Sequence, residues 1–154
     1  MGVTAGMNKV PEKEGVIMTF KGKTAAWWYI ATAALNGVAL AAAINQKLTV
    51  FFVGNLILLV LLDLFFVPVI FKNETVIGKK EIEIKFGLLT KTIPIQSITN
   101  VKVMKSYSAS YAASVDRIGI ESSTAAAAVF ISLEDNDAFV KELMKKNRRI
   151  KYLI

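Results

Sequence analysis

The stretch "EIEIKFGLLTKTIPI", residues 81–95, decides how the second half of this chain folds. Ile82, Ile84 and Phe86 alternate with Glu81, Glu83 and Lys85, the two-residue period of a strand that buries one face. Gly87 permits a tight bend, and "LLTKTIPI" returns as a second strand. Further along, "TNVKVMK" sets Val101 and Val103 against Lys102, with Asn100 and Met104 on the lysine's side. "RIGIES" and "AAVFIS" read as further short strands separated by small or polar residues. The period then changes. "SLEDNDAFVKELMKKN" places Phe139, Val140, Leu143 and Met144 on one helical face, with Ser132 and Asp135 in capping-box spacing and Lys145 and Lys146 at the end. Acid at the start and base at the end suit the helix dipole. Antiparallel strands followed by one amphipathic helix predict a small barrel or sheet closed by that helix.

Toward the N-terminus the chain is of another kind. Residues 27–44, "WWYIATAALNGVALAAAI", carry no charge, and residues 48–71 are interrupted only by Asp63 and Pro68. Each run is long enough to cross ~30 Å of hydrocarbon as a helix. Only Asn45, Gln46 and Lys47 separate them, so the two helices are expected to return antiparallel as a hairpin. Trp27, Trp28 and Tyr29 open the first run, where amphipathic rings prefer the headgroup level. Lys9, Lys13, Lys21 and Lys23 precede the first span and Lys72, Lys79 and Lys80 follow the second, against one lysine in the turn. Both termini are therefore expected in the cytoplasm of a two-span cell-membrane protein. A signal peptide cleaved after "ALA" at residues 39–41 is the rival reading, weakened because the second run would begin almost at once.

Composition agrees with a membrane anchor. In 154 residues, 54% are hydrophobic, and the mean hydropathy is +0.48. With no cysteine and no histidine, thiolate nucleophiles, disulfides, Cys/His zinc sites and Ser-His-Asp arrangements are all ruled out. No metal, cofactor or enzymatic activity is expected. The net charge of +7 is concentrated late, with six basic residues against Glu142 in residues 141–151. Elsewhere bases are interleaved with acids and no binding motif is visible, so nucleic acid is not an expected partner.

The ordered pieces "IKFGLLTKTIPIQSITNV", "SVDRIGI" and "FISLEDNDAF" resemble the bacterial pleckstrin-homology-like (PH-like) domains of the YyaB-like type, which commonly follow a pair of membrane helices. The resemblance covers residues 74–147. It implies an α-helical transmembrane hairpin followed by an α+β PH-like domain, a curved antiparallel sheet of about seven strands with a C-terminal capping helix. Leu133 departs from the pattern, standing where members often carry proline. The implied division is a cytoplasmic N-terminal segment (1–24), the hairpin (25–72, spans about 27–44 and 48–71), the PH-like domain (73–148) and a basic, apolar-ended tail (149–154). No catalytic residue comes with this family. Lys79, Lys80, Lys85 and Lys91 lie around the first hairpins without forming the compact cluster that a phosphoinositide site would need.

Four groups of residues are candidates for function. The loop before "SVDRIGI" holds Tyr107, Ser108, Ser110 and Tyr111 and is the expected recognition loop. Asp116 and Arg117 face opposite ways on a strand: Asp116 is expected inward, accepting from backbone N–H groups of that loop, and Arg117 outward, pairing with Glu134 or Asp135. Asp63 is the one ionisable group within a span and costs ~3 kcal/mol on insertion scales, with Thr32 and Tyr29 its expected hydroxyl partners. Lys145, Lys146, Arg148, Arg149 and Lys151 are candidates for anionic lipid headgroups. Together these favour a non-catalytic, membrane-anchored interaction module that binds a protein partner or itself. The alternatives are a small component of transport or stress protection using Asp63, or an anionic-lipid-binding module.

Overall fold

A computed structural model describes residues 18–45, 50–107 and 110–153. Ser108, Lys9, Lys13 and the turn lysine Lys47 lie outside the described residues. Two long helices, α1 (Ala26–Asn45) and α2 (Val50–Phe71), occupy the apolar runs. At 1.5 Å per residue they are about 30 and 33 Å long. Their surfaces remain open, with 6% and 0% of their most apolar windows buried, which is unlike the core helix of a water-soluble domain.

The sheet domain is built on both sides of this hairpin. Strands β1 (Met18–Lys21), β2 (Asn73–Ile77), β3 (Glu81–Phe86) and β4 (Leu89–Pro94) form one antiparallel sheet in that order. The second sheet has the order β7-β6-β5-β8, from β5 (Ile98–Lys105), β6 (Asp116–Ser122), β7 (Val129–Ile131) and β8 (Lys151–Leu153), with β8 parallel to β5. Helix α3 (Asn136–Lys146) lies between β7 and β8 in sequence. The expected PH-like architecture holds, with two sheets of four strands in place of about seven strands.

The alternation in residues 81–86 does what its period implies. Ile82, Ile84 and Phe86 are all buried, and Ile77, Ile93, Val101, Ile118, Ile120 and Ile131 meet Ile82 and Ile84 in one core. Phe139, Val140 and Leu143 of α3 close it, with Phe20 of β1 edge-on to Phe139 at 5.3 Å. The cap of α3 is Asp135, whose carboxylate accepts from the Ala138 N–H at 2.9 Å. Ser132, expected in a capping box, donates instead to the Asp116 carbonyl, because its backbone is engaged at the junction of the two sheets. Leu133 is buried, pairs with Gly22 across that junction and donates its N–H to Asn136 Oδ1. A proline there would have no N–H to give.

Two strands come from stretches expected to lie outside the domain. β1 precedes the first helix and pairs along its whole length with β2, from Met18↔Ile77 to Lys21↔Glu74. β8 falls in the supposed tail, where Ile150 is buried and Tyr152 packs against the core.

The register gives the domain two ends. β1 leads into α1 and α2 leads into β2, so Lys21 and Asn73 mark the end facing the helices. Pairing of Asn73 with Phe86, and of Phe86 with Leu89, brings the β3–β4 turn to that end. The Ala25 N–H to Ala113 carbonyl bond and the Lys23–Asp116 pair bring the start of β6 there too. At the far end lie the β2–β3 turn, Pro94, Ile98 and the C-terminus of α3. Asn147 fixes the last of these by donating from Nδ2 to the carbonyls of Ile95, at 2.8 Å, and Ile98.

Candidate functional site

The loop before β6 is only partly free. Ser110 Oγ donates to the Phe130 carbonyl and accepts from the Phe130 N–H, both at 3.0 Å, and Tyr111 bridges to Ile131. The Tyr111 ring packs edge-on to Phe86 at 6.4 Å. Both residues therefore dock onto β7 and the domain interior, while Tyr107 is 88% exposed. The expected recognition loop divides into a docked half and one projecting ring.

Docking of that loop also corrects the reading of Asp116 and Arg117. The two do face opposite ways, but Arg117 is buried because the loop folds over the outer face of β6. Its Nε donates to the Ser114 carbonyl at 2.8 Å, and burial lowers its pKa from the ordinary guanidinium value. The expected partners are otherwise engaged: Glu134 pairs with Lys21 at 3.3 Å, and Asp135 caps α3. Asp116 sits at the rim and accepts from Lys23 Nζ at 2.7 Å. That hydrogen bond and the ammonium charge hold its carboxyl below the usual aspartate range. Asp116 thus ties the segment leading into α1 to the start of β6, and among the described residues its side-chain partner is the Lys23 ammonium rather than a backbone N–H of the loop.

Asp63 has a partner on α1, one turn along from Thr32 and two from Tyr29. Asn36 Nδ2 donates to Asp63 Oδ1 at 2.9 Å and also to the Thr32 carbonyl at 3.0 Å. Thr32 Oγ1 is turned to its own helix, donating to the Trp28 carbonyl at 2.9 Å. In an apolar helix a threonine hydroxyl satisfies itself on the preceding turn. The longer amide of Asn36 is left to reach across. On the same helix Ala33, Gly37 and Ala41 are exposed, and a Cβ built at Gly37 would meet nothing within 4 Å, so this small face is not packed against α2.

The basic C-terminus lies away from the helices. Asn147 anchors the end of α3 at the far end of the domain, and Lys151 pairs with Asn100, near the start of β5. Along β5 the Asn147 anchor at Ile98 stands about 23 Å from Lys105 at the helix-facing end, and Lys151, level with Asn100, about 17 Å, at strand rise. The Debye length at physiological salt is ~8 Å, so charges at those distances from a headgroup plane are screened. Lys145, Lys146, Arg148, Arg149 and Lys151 therefore do not share an end with the helices. Lys141, Met144, Lys145 and Arg148 line an open groove there.

The sequence reading missed the junction itself. Trp28, expected among headgroups, is 6% exposed and packs with Val69, Phe86 and Ala113. Its ring lies 4.9 Å from Phe66 and 5.9 Å from Phe86, and its Nε1–H donates to the Phe66 carbonyl at 3.1 Å. Trp27 and Tyr29 remain half-exposed. Gly87, at φ +60°, donates its N–H to the Lys72 carbonyl at 2.6 Å. A Cβ there would come within 2.9 Å of Val69 Cγ2, so glycine allows both the turn and the close approach of α2. A Trp-Trp-Tyr run gives no sign in the sequence of which ring turns inward.

A hollow of about 330 Å³ beside the junction is lined by Lys21, Lys23, Tyr29, Phe71, Glu74 and Glu134, among others. Its charges are satisfied internally: Lys21 with Glu134, Lys23 with Asp116, and Glu74 with Lys85 at 2.9 Å. The Glu74 hydrogen bond raises the Lys85 pKa against the opposing effect of burial. Among the described residues no group of His, Cys, Asp and Glu side chains is placed to hold a metal ion.

Comparison with known proteins agrees with this architecture. A family model described as bacterial PH domain matches residues 75–147, the span from β2 to the end of α3. No curated protein matches the chain, and no solved structure does. The match leaves out β1 and β8, which complete the two sheets from beyond its limits. Residues 75–147 thus match a bacterial PH domain, and two helices apolar enough to span a membrane precede them.

Proposed function

We propose that this protein is a non-catalytic, membrane-anchored interaction module, held at the cytoplasmic surface to bind a protein partner or a second copy of itself. The observation that carries the reading is the pairing of β1 with β2 across the helical hairpin. Chain entering α1 and chain leaving α2 belong to one sheet, so both must lie on the same side of any membrane the helices cross. Lys21 and Lys23 before α1, with Lys72, Lys79 and Lys80 after α2, favour the cytoplasm as that side. PH-like domains are generally interaction modules, which supports binding over catalysis.

Strand β4 is the surface that best supports a protein partner. It ends its sheet, and Leu89, Thr90, Lys91 and Thr92 are all exposed. The two-residue turn makes Phe86↔Leu89 a hydrogen-bonded pair, and alternation then leaves the backbone groups of Thr90 and Thr92 pointing outward. Pro94 falls in the same outward class, where its missing N–H costs the ladder nothing. An added strand could pair along such an edge. The test is site-specific photo-cross-linking of the full chain in its native membrane, from Thr92 on this edge and from Lys145 at the basic far end. A discrete adduct with another protein, or with a second copy, is expected from Thr92 and should be lost when Thr90 is changed to proline. Absence of an adduct from both positions in correctly inserted protein would overturn the reading.

A further inference from the structure

We propose that the β3–β4 turn is a second membrane contact, in which Leu88 and Leu89, with Tyr107 at the same end of the domain, enter the headgroup boundary of the leaflet that α1 and α2 leave. The inference rests on the membrane-anchored reading above and adds a site to it. Leu88 is 71% exposed and Leu89 49%, in a domain whose other leucines and isoleucines are largely buried. Exposed apolar side chains scattered singly need no explanation. These are adjacent, and they share the helix-facing end with Tyr107, two residues beyond the end of β5.

Their height is fixed by Gly87. Its N–H bonds the Lys72 carbonyl, and its Cα stands so close to α2 that an added Cβ would meet Val69 and Pro68. The turn is therefore level with the last turn of α2, where Phe71 is itself 83% exposed. A segment level with the end of a spanning helix lies at the interface, where leucine enters the acyl boundary and tyrosine the headgroups. Exposed Lys72 and Lys105 at the same end place cations near lipid phosphates. The lipid surface is thus continuous with the one the helices require, and it covers apolar side chains left exposed among the described residues.

The chain contains no cysteine, so Leu88→Cys provides a unique attachment point. The full chain, labelled there with an environment-sensitive fluorophore, would be reconstituted in phosphatidylethanolamine/phosphatidylglycerol vesicles carrying nitroxide lipids at shallow or deep positions. Leu89→Cys serves as a second variant, Leu61→Cys within α2 reports spanning, and Lys79→Cys at the far turn reports water. The expected result is a blue shift and loss of fluorescence to the shallow nitroxide at Leu88 and Leu89, loss to the deep nitroxide at Leu61, and neither at Lys79. Water-like emission at Leu88 and Leu89 with Leu61 quenched would overturn this inference and leave the anchor standing. A blue shift at Leu88 without lipid quenching would overturn it in favour of a protein cover. An unquenched Leu61 would overturn the membrane-anchored reading, and this inference with it.

Discussion

The helical hairpin and the sheet domain use the same apolar side chains in opposite ways. In α2, Val60, Leu61, Leu64 and Phe65 all point outward, whereas in the domain Ile77, Ile82, Ile118 and Ile120 are wholly enclosed. The polar groups invert as well. Apart from the buried Arg117, the domain keeps charged pairs such as Lys21–Glu134 and Lys145–Glu142 on its rim, while the hairpin joins Asp63 to Asn36. Such a contrast is expected between a domain that buries its apolar face from water and helices apolar enough to span a membrane, which in lipid would need to bury none. Trp28 stands where the two regimes meet, on a helix by sequence and in a core by contact.

The largest effect should come from placing one substitution in both regions. Aspartate at Leu61, near the middle of α2 and 59% exposed, should cost about 3–4 kcal/mol of insertion on biological transfer scales. Aspartate at Thr92, exposed but directly across from Glu83, should cost the domain no more than about 1 kcal/mol. Membrane extraction and insertion assays on the two variants check the contrast. Equal, small effects would mean that α2 does not face lipid.

An intermediate effect is expected at the meeting point. Trp28→Ala should cost about 3–5 kcal/mol of packing between hairpin and domain, in line with other buried aromatic truncations. Limited proteolysis should then cut the connection at residues 22–25, while α1 and α2 stay inserted. Loss of insertion instead would make Trp28 part of the anchor rather than of the junction.

The smallest effect concerns the rim. Because Lys23 depresses the Asp116 pKa, the stabilisation from this pair is present above the unfolded aspartate value of ~4 and is lost as pH falls through the lower folded value. Asp116→Asn should therefore change little at pH 7, as exposed pairs do, and should flatten the loss of stability on the acid side. The fluorescence of Trp27 and Trp28, a few residues from Lys23, gives the readout across an acid titration. An unchanged acid profile would show that the pair does not brace the entry to α1.

Much of the architecture could be read from local pattern. Period two in residues 81–86, the uncharged runs and the amphipathic face of α3 each declare themselves within a few residues, because burial on one face imposes its period on the sequence. "VIMTFKG" and "IKYLI" carry the same signal more briefly, and their positions outside the recognised pieces made them look like flanks. The candidate sites were less legible. That Asn36 rather than Thr32 reaches Asp63 depends on which polar group its own helix has already satisfied. That Arg117 is buried depends on a loop whose docking is fixed by Ser110 and Tyr111, on β7.

By itself, then, the sequence determined the two apolar helices, the alternating strands, the capping helix and the kinship of residues 75–147, since each is a property of neighbours along the chain. The tertiary structure alone decided that β1 and β8 complete the sheets, that Trp28 turns inward, and that the basic end of α3 points away from the helices while Leu88 and Leu89 point toward them. These are pairings between residues far apart in sequence. Strand register and the close approach allowed at Gly87 set them, and neither leaves a period in the sequence to be read.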